Sequence, residues 1–152
     1  MGTKWIVCIL FCLKTVYGHD KSLFEKYGNR YSIPSQLLWG ITKIESNFNP
    51  FAFNANTNGT YDIGLMQINT IHLRLLNESG IEINDLFHPE TNIAVGSFIL
   101  SQCFQKHGLN WKGLTCYNGR IEGNDYAMKV LSGIAREANK NKNLVVHHPN
   151  SP

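Results

Sequence analysis

The sequence predicts a mainly α-helical α+β domain with one small, irregular β-hairpin region. Three observations lead there. Apolar residues recur at helical spacing in several segments, bounded by Pro, Gly or Asn. The stretch from Phe51 to Asp62, FAFNANTNGTYD, interrupts that pattern with turn-forming residues. No internal repeat and no linker divides the chain, whose 152 residues suit a single core.

Leu23 to Tyr27 reads as a short helix. Ser32 and Pro34 are start signals for a second, which ends at Asn47, Asn49 and Pro50. An irregular hairpin is expected around Asn58-Gly59. Thr70 to Ser79 is a helix stopped by Gly80. His88-Pro89 and Asn92 signal the next, from about Thr91 to His107, where Ile93, Ser97, Leu100 and Phe104 recur and Gly108 ends it. Trp111 to Cys116 is a short helix. NGRIEGND, beginning at Asn118, is a loop. Asn124 or Asp125 caps the last helix, whose inner face is Tyr126, Val130, Ile134 and Ala138.

The two ends differ from this domain. In MGTKWIVCILFCLKTVYG, Lys4 precedes the apolar run Trp5 to Leu13, which is too short to span a bilayer. Val16 and Gly18 suit the positions before a signal-peptidase cut. Residues 1–18 therefore read as a removed secretory leader, although Lys14 leaves an uncleaved anchor open. Residues 19–138 read as the domain, and the polar residues 139–152 as a flexible tail. His147-His148 in that tail is a weak metal-ligand signal.

Losing Lys4 and Lys14 with the leader lowers the formal charge from +3 to +1. So balanced a protein gives no case for nucleic acid or an acidic membrane as main partner. Cys8 and Cys12 leave with the leader. Cys103 and Cys116 remain, and in an exported chain such a pair suggests one disulfide. Buried free thiols are the alternative, and a zinc site fails on ligand count. With no second apolar surface evident, a monomer is expected.

Glu45 is the most informative residue. Leu37, Leu38, Ile41, Ile44 and Phe48 form one apolar stripe at about 100° per residue, and Glu45 falls inside it. A carboxylate there must find a partner or give up its charge. Burial and the nearby helix C-terminus both raise its pKa, as a general acid requires. The alternative is a salt-bridged surface Glu. In the segment Asp62 to Asn69, DIGLMQIN, Gly64 permits close approach by a ligand or by the Glu45 helix. An extended backbone would aim the amides of Gln67 and Asn69 one way, toward sugar hydroxyl and N-acetyl groups. A structural turn that uses those amides internally is the alternative.

KIESNFNP, YDIGLMQIN, CYNG and YAMKV, in that order, resemble the lysozyme-like lytic transglycosylases. Within that group the chain is similar to small exported enzymes associated with secretion systems and conjugation machinery. The likeness covers residues 22 to 136. It implies a lysozyme-like fold, a peptidoglycan substrate, no metal or organic cofactor and a periplasmic location. It also implies a type III, type IV or conjugative secretion apparatus as partner.

The resemblance also implies roles for individual residues. Glu45 would be the catalytic acid/base, and Ser46 would steady the turn or the carboxylate. Gly64, Leu65, Met66 and Gln67 match a G-L-M-Q motif that lines the glycan cleft, with Asn69 beside them. Tyr117 and Asn118 match a Y-N motif on the opposite wall, with Tyr117 the better candidate to hold substrate or hydrogen-bond Glu45. Tyr126, in the Y-A-x-K-V motif, would lie near the site.

Two departures stand out. The usual A-Y-N-A-G reads CYNGR here, and Cys103 and Cys116 are not at the cysteine positions of small secreted relatives. Their pairing as a staple between helices is therefore this chain's own feature. Asp62 makes D-x-G-x-x-Q-I-N, which resembles the strand motif of lysozymes that use a second carboxylate. Asp62 is either that partner to Glu45 or a residue fixing the turn before Gly64. The activity expected is formation of 1,6-anhydro products. Hydrolysis using Glu45 and Asp62, or non-catalytic binding of the wall, are the alternatives.

Overall fold

The computed structural model describes residues 22–146, so the expected leader and His147-His148 lie outside the described residues. The helices are α1 (22–31), α2 (Ser35–Ser46), α3 (Leu73–Glu78), α4 (Pro89–His107), α5 (Trp111–Tyr117) and α6 (Tyr126–Val146). The strands β1 (Phe53–Ala55), β2 (Tyr61–Ile63) and β3 (Ile68–Asn69) form one antiparallel sheet in that order. Single 3-10 turns at Thr70–His72 and Ile83–Phe87 lead into α3 and α4.

Most of the expected elements are present, and the differences have local causes. Ser32 does not cap α2. It takes a positive φ of 55°, and Pro34 is the N-cap, without a side-chain hydrogen bond. The buried face of α2 is Leu38, Ile41 and Thr42, with Gly40 beside it, whereas Ile44 is 37 % exposed. The helix is rolled toward α6 because Gly40 admits it: a Cβ there would lie 2.7 Å from Ile134 Cγ1. The strip i, i+3, i+4, i+7 from Leu38 thus ends on Glu45. The last helix continues to Val146 instead of fraying after Asn139, and Ala138 is exposed rather than on an inner face. Its Arg136, Glu137, Lys140 and Lys142 are good helix formers that need no burial.

The hairpin turns at Asn58-Gly59, where Gly59 has φ 82° and Asn56 N–H donates to Thr60 O at 2.8 Å. The third strand was not expected, since two residues are too few to show alternation. The sheet is pinned to α4 by Asn92, which reads in the sequence as a helix-start signal and is fully buried here. Its Oδ1 accepts from Met66 N–H at 2.7 Å, and its Nδ2 donates to Ile63 O at 2.8 Å and Leu86 O at 2.7 Å. A buried amide with every bond made fixes one geometry.

Toward the C-terminal end of α4, Cys103 and Cys116 form a disulfide that joins α4 to α5, as expected. No described helix is long and apolar enough to cross a membrane.

Candidate active site

Glu45 stands in the last turn of α2, just before the left-handed C-cap Asn47 (φ 51°). Tyr126, the first residue of α6 and 5 % exposed, donates its hydroxyl to Glu45 Oε1 at 2.6 Å. Burial raises the Glu45 carboxyl pKa. The Tyr126 hydrogen bond lowers it, the charge of Asp62 raises it, and the net shift is upward. Tyr126 is itself held far above the usual phenol range by burial and by Glu45, so it stays a donor. The chain fixes this pair locally, because Asn124 Oδ1 accepts Tyr126 N–H at 3.0 Å at the start of α6.

Asp62 is at the centre of the sheet. The register sets Asn54 opposite Asp62 and Asp62 opposite Asn69, so three polar side chains form one cross-strand row. Asn56 Nδ2 donates to Asp62 Oδ2 at 2.9 Å, and Asn69 Nδ2 donates to Oδ1 at 2.7 Å. Both carboxylate oxygens are therefore already engaged by the sheet. Asp62 thus ties the segment after β1 to β3, and it also faces the Glu45 cleft.

That cleft has a volume of about 1020 Å³. Of the expected residues, Glu45, Asp62, Gln67, Asn69, Tyr117 and Asn118 line it. Ser46, Gly64, Met66 and Tyr126 stand behind the lining. Ser46 Oγ donates to Leu65 O at 2.7 Å, so it steadies the approach of the loop to α2 rather than the carboxylate.

Gly64 has φ 77°, and its close neighbours are Asn92 and the Leu86 carbonyl rather than the Glu45 helix; a Cβ would lie 2.2 Å from Asn92 Nδ2. Met66 is fully buried against Gly96 and does not line the cleft. Tyr117 does not reach Glu45. Its hydroxyl donates to Met66 O at 2.8 Å, and burial keeps its pKa well above the ordinary value.

Gln67 is not extended, having φ 50°. Its Nε2 donates to Gly64 O at 2.9 Å and Ala52 O at 3.3 Å, and its Oε1 accepts from Asn54. Gln67 and Asn69 thus make hydrogen bonds within the sheet and its turn while also lining the cleft.

Asn54, Asn56, Thr60, His72, Ile99 and Arg120 also line the cleft and were not singled out. A signal existed for the first two, since Asn54 in β1 and Asn56 just past its end are two apart, the spacing that puts side chains on one face of extended backbone. A second hollow of about 500 Å³ lies between α1, α2 and α6 against Trp39 and Phe48. The Glu45–Tyr126 pair lies outside it, against the larger cleft. Among the described residues, no three His, Cys, Asp or Glu side chains are grouped to hold a metal ion.

Residues 22–143 match the family model described as "Transglycosylase SLT domain". The chain belongs to this transglycosylase family. It is 38 % identical over 113 residues to protein IpgF of Shigella sonnei, covering 74 % of each chain. It is 33 % identical over 129 residues to invasion protein IagB of Salmonella typhimurium strain SL1344, covering 76 % of this chain and 80 % of that one. It is 31 % identical over 116 residues to the X polypeptide of Escherichia coli K12, covering 76 % and 69 %. The helices and small three-stranded sheet are those of a lysozyme-like SLT domain, and the family is one of glycan-cleaving enzymes.

Proposed function

We propose that this chain is a lytic transglycosylase that cleaves the MurNAc-GlcNAc β-1,4 bond of peptidoglycan and forms 1,6-anhydro-MurNAc. The observation that carries the reading is the Glu45 carboxyl, raised by burial and held by Tyr126, at an amide-lined cleft. Protonated Glu45 donates to the glycosidic oxygen as the C1–O bond breaks. Positive charge grows on the muramyl ring, and the substrate's own N-acetyl group assists. The Glu45 carboxylate, stabilised by the Tyr126 hydroxyl, then takes the C6 hydroxyl proton as that oxygen closes on C1. Glu45 ends protonated again, and no water is consumed.

Asp62 supports a second reading, hydrolysis, because its charge acts on Glu45 from the same cleft. Its two oxygens already accept amide N–H groups, which suits an electrostatic role better than attack on C1. A purely binding role is disfavoured by the raised, positioned acid. The disulfide fits an oxidising compartment, and a wall-cutting enzyme belongs in the periplasm. The Salmonella relative's name, invasion protein, supports local opening of the wall for a type III, type IV or conjugative apparatus.

Digestion of purified sacculi followed by mass spectrometry tests the chemistry. Anhydro termini are expected, reducing termini would establish the hydrolase instead, and Glu45→Gln should release neither. Release at the wild-type rate by a folded Glu45→Gln protein ends the assignment.

A further inference from the structure

One lining residue has no part in the chemistry above. Arg120 borders the cleft from the loop between α5 and α6. Its side chain is exposed, and among the described residues no carboxylate is paired with its guanidinium. Its backbone is tied down on both sides. Gly119 N–H donates to Cys116 O at 2.8 Å, at the stapled end of α5. Asn124, which caps α6, donates its side-chain amide to Arg120 O. The guanidinium is thus free while its anchor is fixed.

The charge inventory of the cleft makes this cation unusual. The lining residues that ionise in water are Glu45, Asp62, His72, Tyr117 and Arg120. Tyr117 is held neutral by burial, and burial pushes the His72 imidazole below its ordinary value, toward the neutral form. Arg120 is therefore the one permanent positive charge among the lining residues. A neutral amino-sugar chain offers it hydrogen-bond acceptors but no counter-charge. A glycan bearing carboxylates, by contrast, meets the negative charge of Asp62 on entry and gains from a counter-charge. The planar guanidinium fork matches a carboxylate in two hydrogen bonds.

We propose that Arg120 is a specificity residue that binds a carboxylate carried by the glycan strand and so selects muramyl glycan over neutral amino-sugar polymers. This rests on the cleft being a peptidoglycan site. The carboxylate has two sources: the free lactyl group of a muramyl residue without peptide, or the stem peptide.

The test is calorimetric binding to the full chain, in a Glu45→Gln background that prevents turnover, with and without Arg120→Gln. The probes are chitotetraose, the peptide-free (GlcNAc-MurNAc)₂ tetrasaccharide and the same tetrasaccharide with peptide stems. Arg120→Gln should weaken an acidic probe roughly three- to tenfold and chitotetraose by less than about twofold. The difference should vanish in about 1 M salt, and Arg120→Lys should recover part of it.

Whichever acidic probe responds identifies the source. Equal weakening of neutral and acidic probes, or no weakening of either, overturns the proposal alone. Absence of binding to every probe by the Arg120-containing protein overturns the glycan reading, and this proposal with it.

Discussion

Tyr126→Phe removes one hydroxyl and should change the pH dependence of catalysis in a direction the structure dictates. The bond lost is the 2.6 Å contact to Glu45 Oε1, made by a side chain that is 5 % exposed. A hydrogen bond to an ionised group contributes about 1.5–3 kcal/mol, and one between neutral groups about 0.5–1.5. The deletion therefore penalises the carboxylate over the acid by roughly 1–1.5 kcal/mol, or about tenfold in the ionisation equilibrium. The Glu45 pKa, already raised, moves further up.

Two effects follow. The alkaline limb of kcat/KM, which reports loss of the general acid from the free enzyme, shifts about one unit to higher pH. The plateau falls about tenfold, because the carboxylate forming in the transition state has lost its donor. Initial rates of sacculus clearing from pH 4 to 9 measure both, with unfolding curves as a check on the fold. A limb that stays in place or moves to lower pH refutes the assignment of Tyr126 as the partner that steadies ionised Glu45.

Glu45→Gln should also alter stability with pH. A carboxyl whose folded pKa lies above its unfolded value contributes stability below the unfolded pKa and loses it as pH rises through the folded one, at about 1.4 kcal/mol per unit of difference. Urea unfolding should find the variant gaining on wild type from pH 4 to 8; a gap that widens in acid is the contrary result. Gly64→Ala, forced into φ 77° and against Asn92, should cost about 2–5 kcal/mol of unfolding free energy, and a cost below about 1 would reject the close approach. Asn92→Leu leaves Met66 N–H, Ile63 O and Leu86 O without their partner, and thermal denaturation should register about 3 kcal/mol or more. Replacing both Cys103 and Cys116 by Ser should cost about 3 kcal/mol while glycan cleavage persists at moderate temperature, since the staple lies outside the cleft lining.

What the sequence made legible was one-dimensional. Spacing marked α2 and α4, and Gly108 and Gly80 marked ends of helices. Glu45 was conspicuous because a charge inside an apolar strip is a local contradiction. What it concealed was which distant groups would answer that contradiction. Tyr117 and Tyr126 both lay in suitable motifs. The choice between them depends on where α6 starts relative to the end of α2, and that is set by Gly40 against Val130 and Ile134. The backbone at Gln67 and the burial of Met66 were hidden for a related reason. A positive φ at Gln67 and the notch at Gly96 turn the motif inward, and neither follows from two-residue alternation. Asn92 looked like a helix signal because a buried, fully bonded amide and a capping one are the same letter.

The arrangement around Glu45 also explains why its controls come from three separate elements. The end of α2 places Glu45 where it is desolvated, the sheet supplies the Asp62 charge, and α6 supplies the Tyr126 hydroxyl. The first two oppose ionisation, and a bound glycan would strengthen both by excluding water from the cleft. In the proposed mechanism the acid is then kept protonated until the glycosidic oxygen takes the proton. The third favours the ionised form, so it grows stronger as the proton leaves. An interaction of that kind stabilises the transition state more than the ground state, whereas simple burial of Glu45 would only make its proton harder to give up. In that mechanism the Tyr126 hydroxyl turns a half-buried acid into a usable one, and it is the contact whose loss should separate the ability to bind glycan from the ability to cut it.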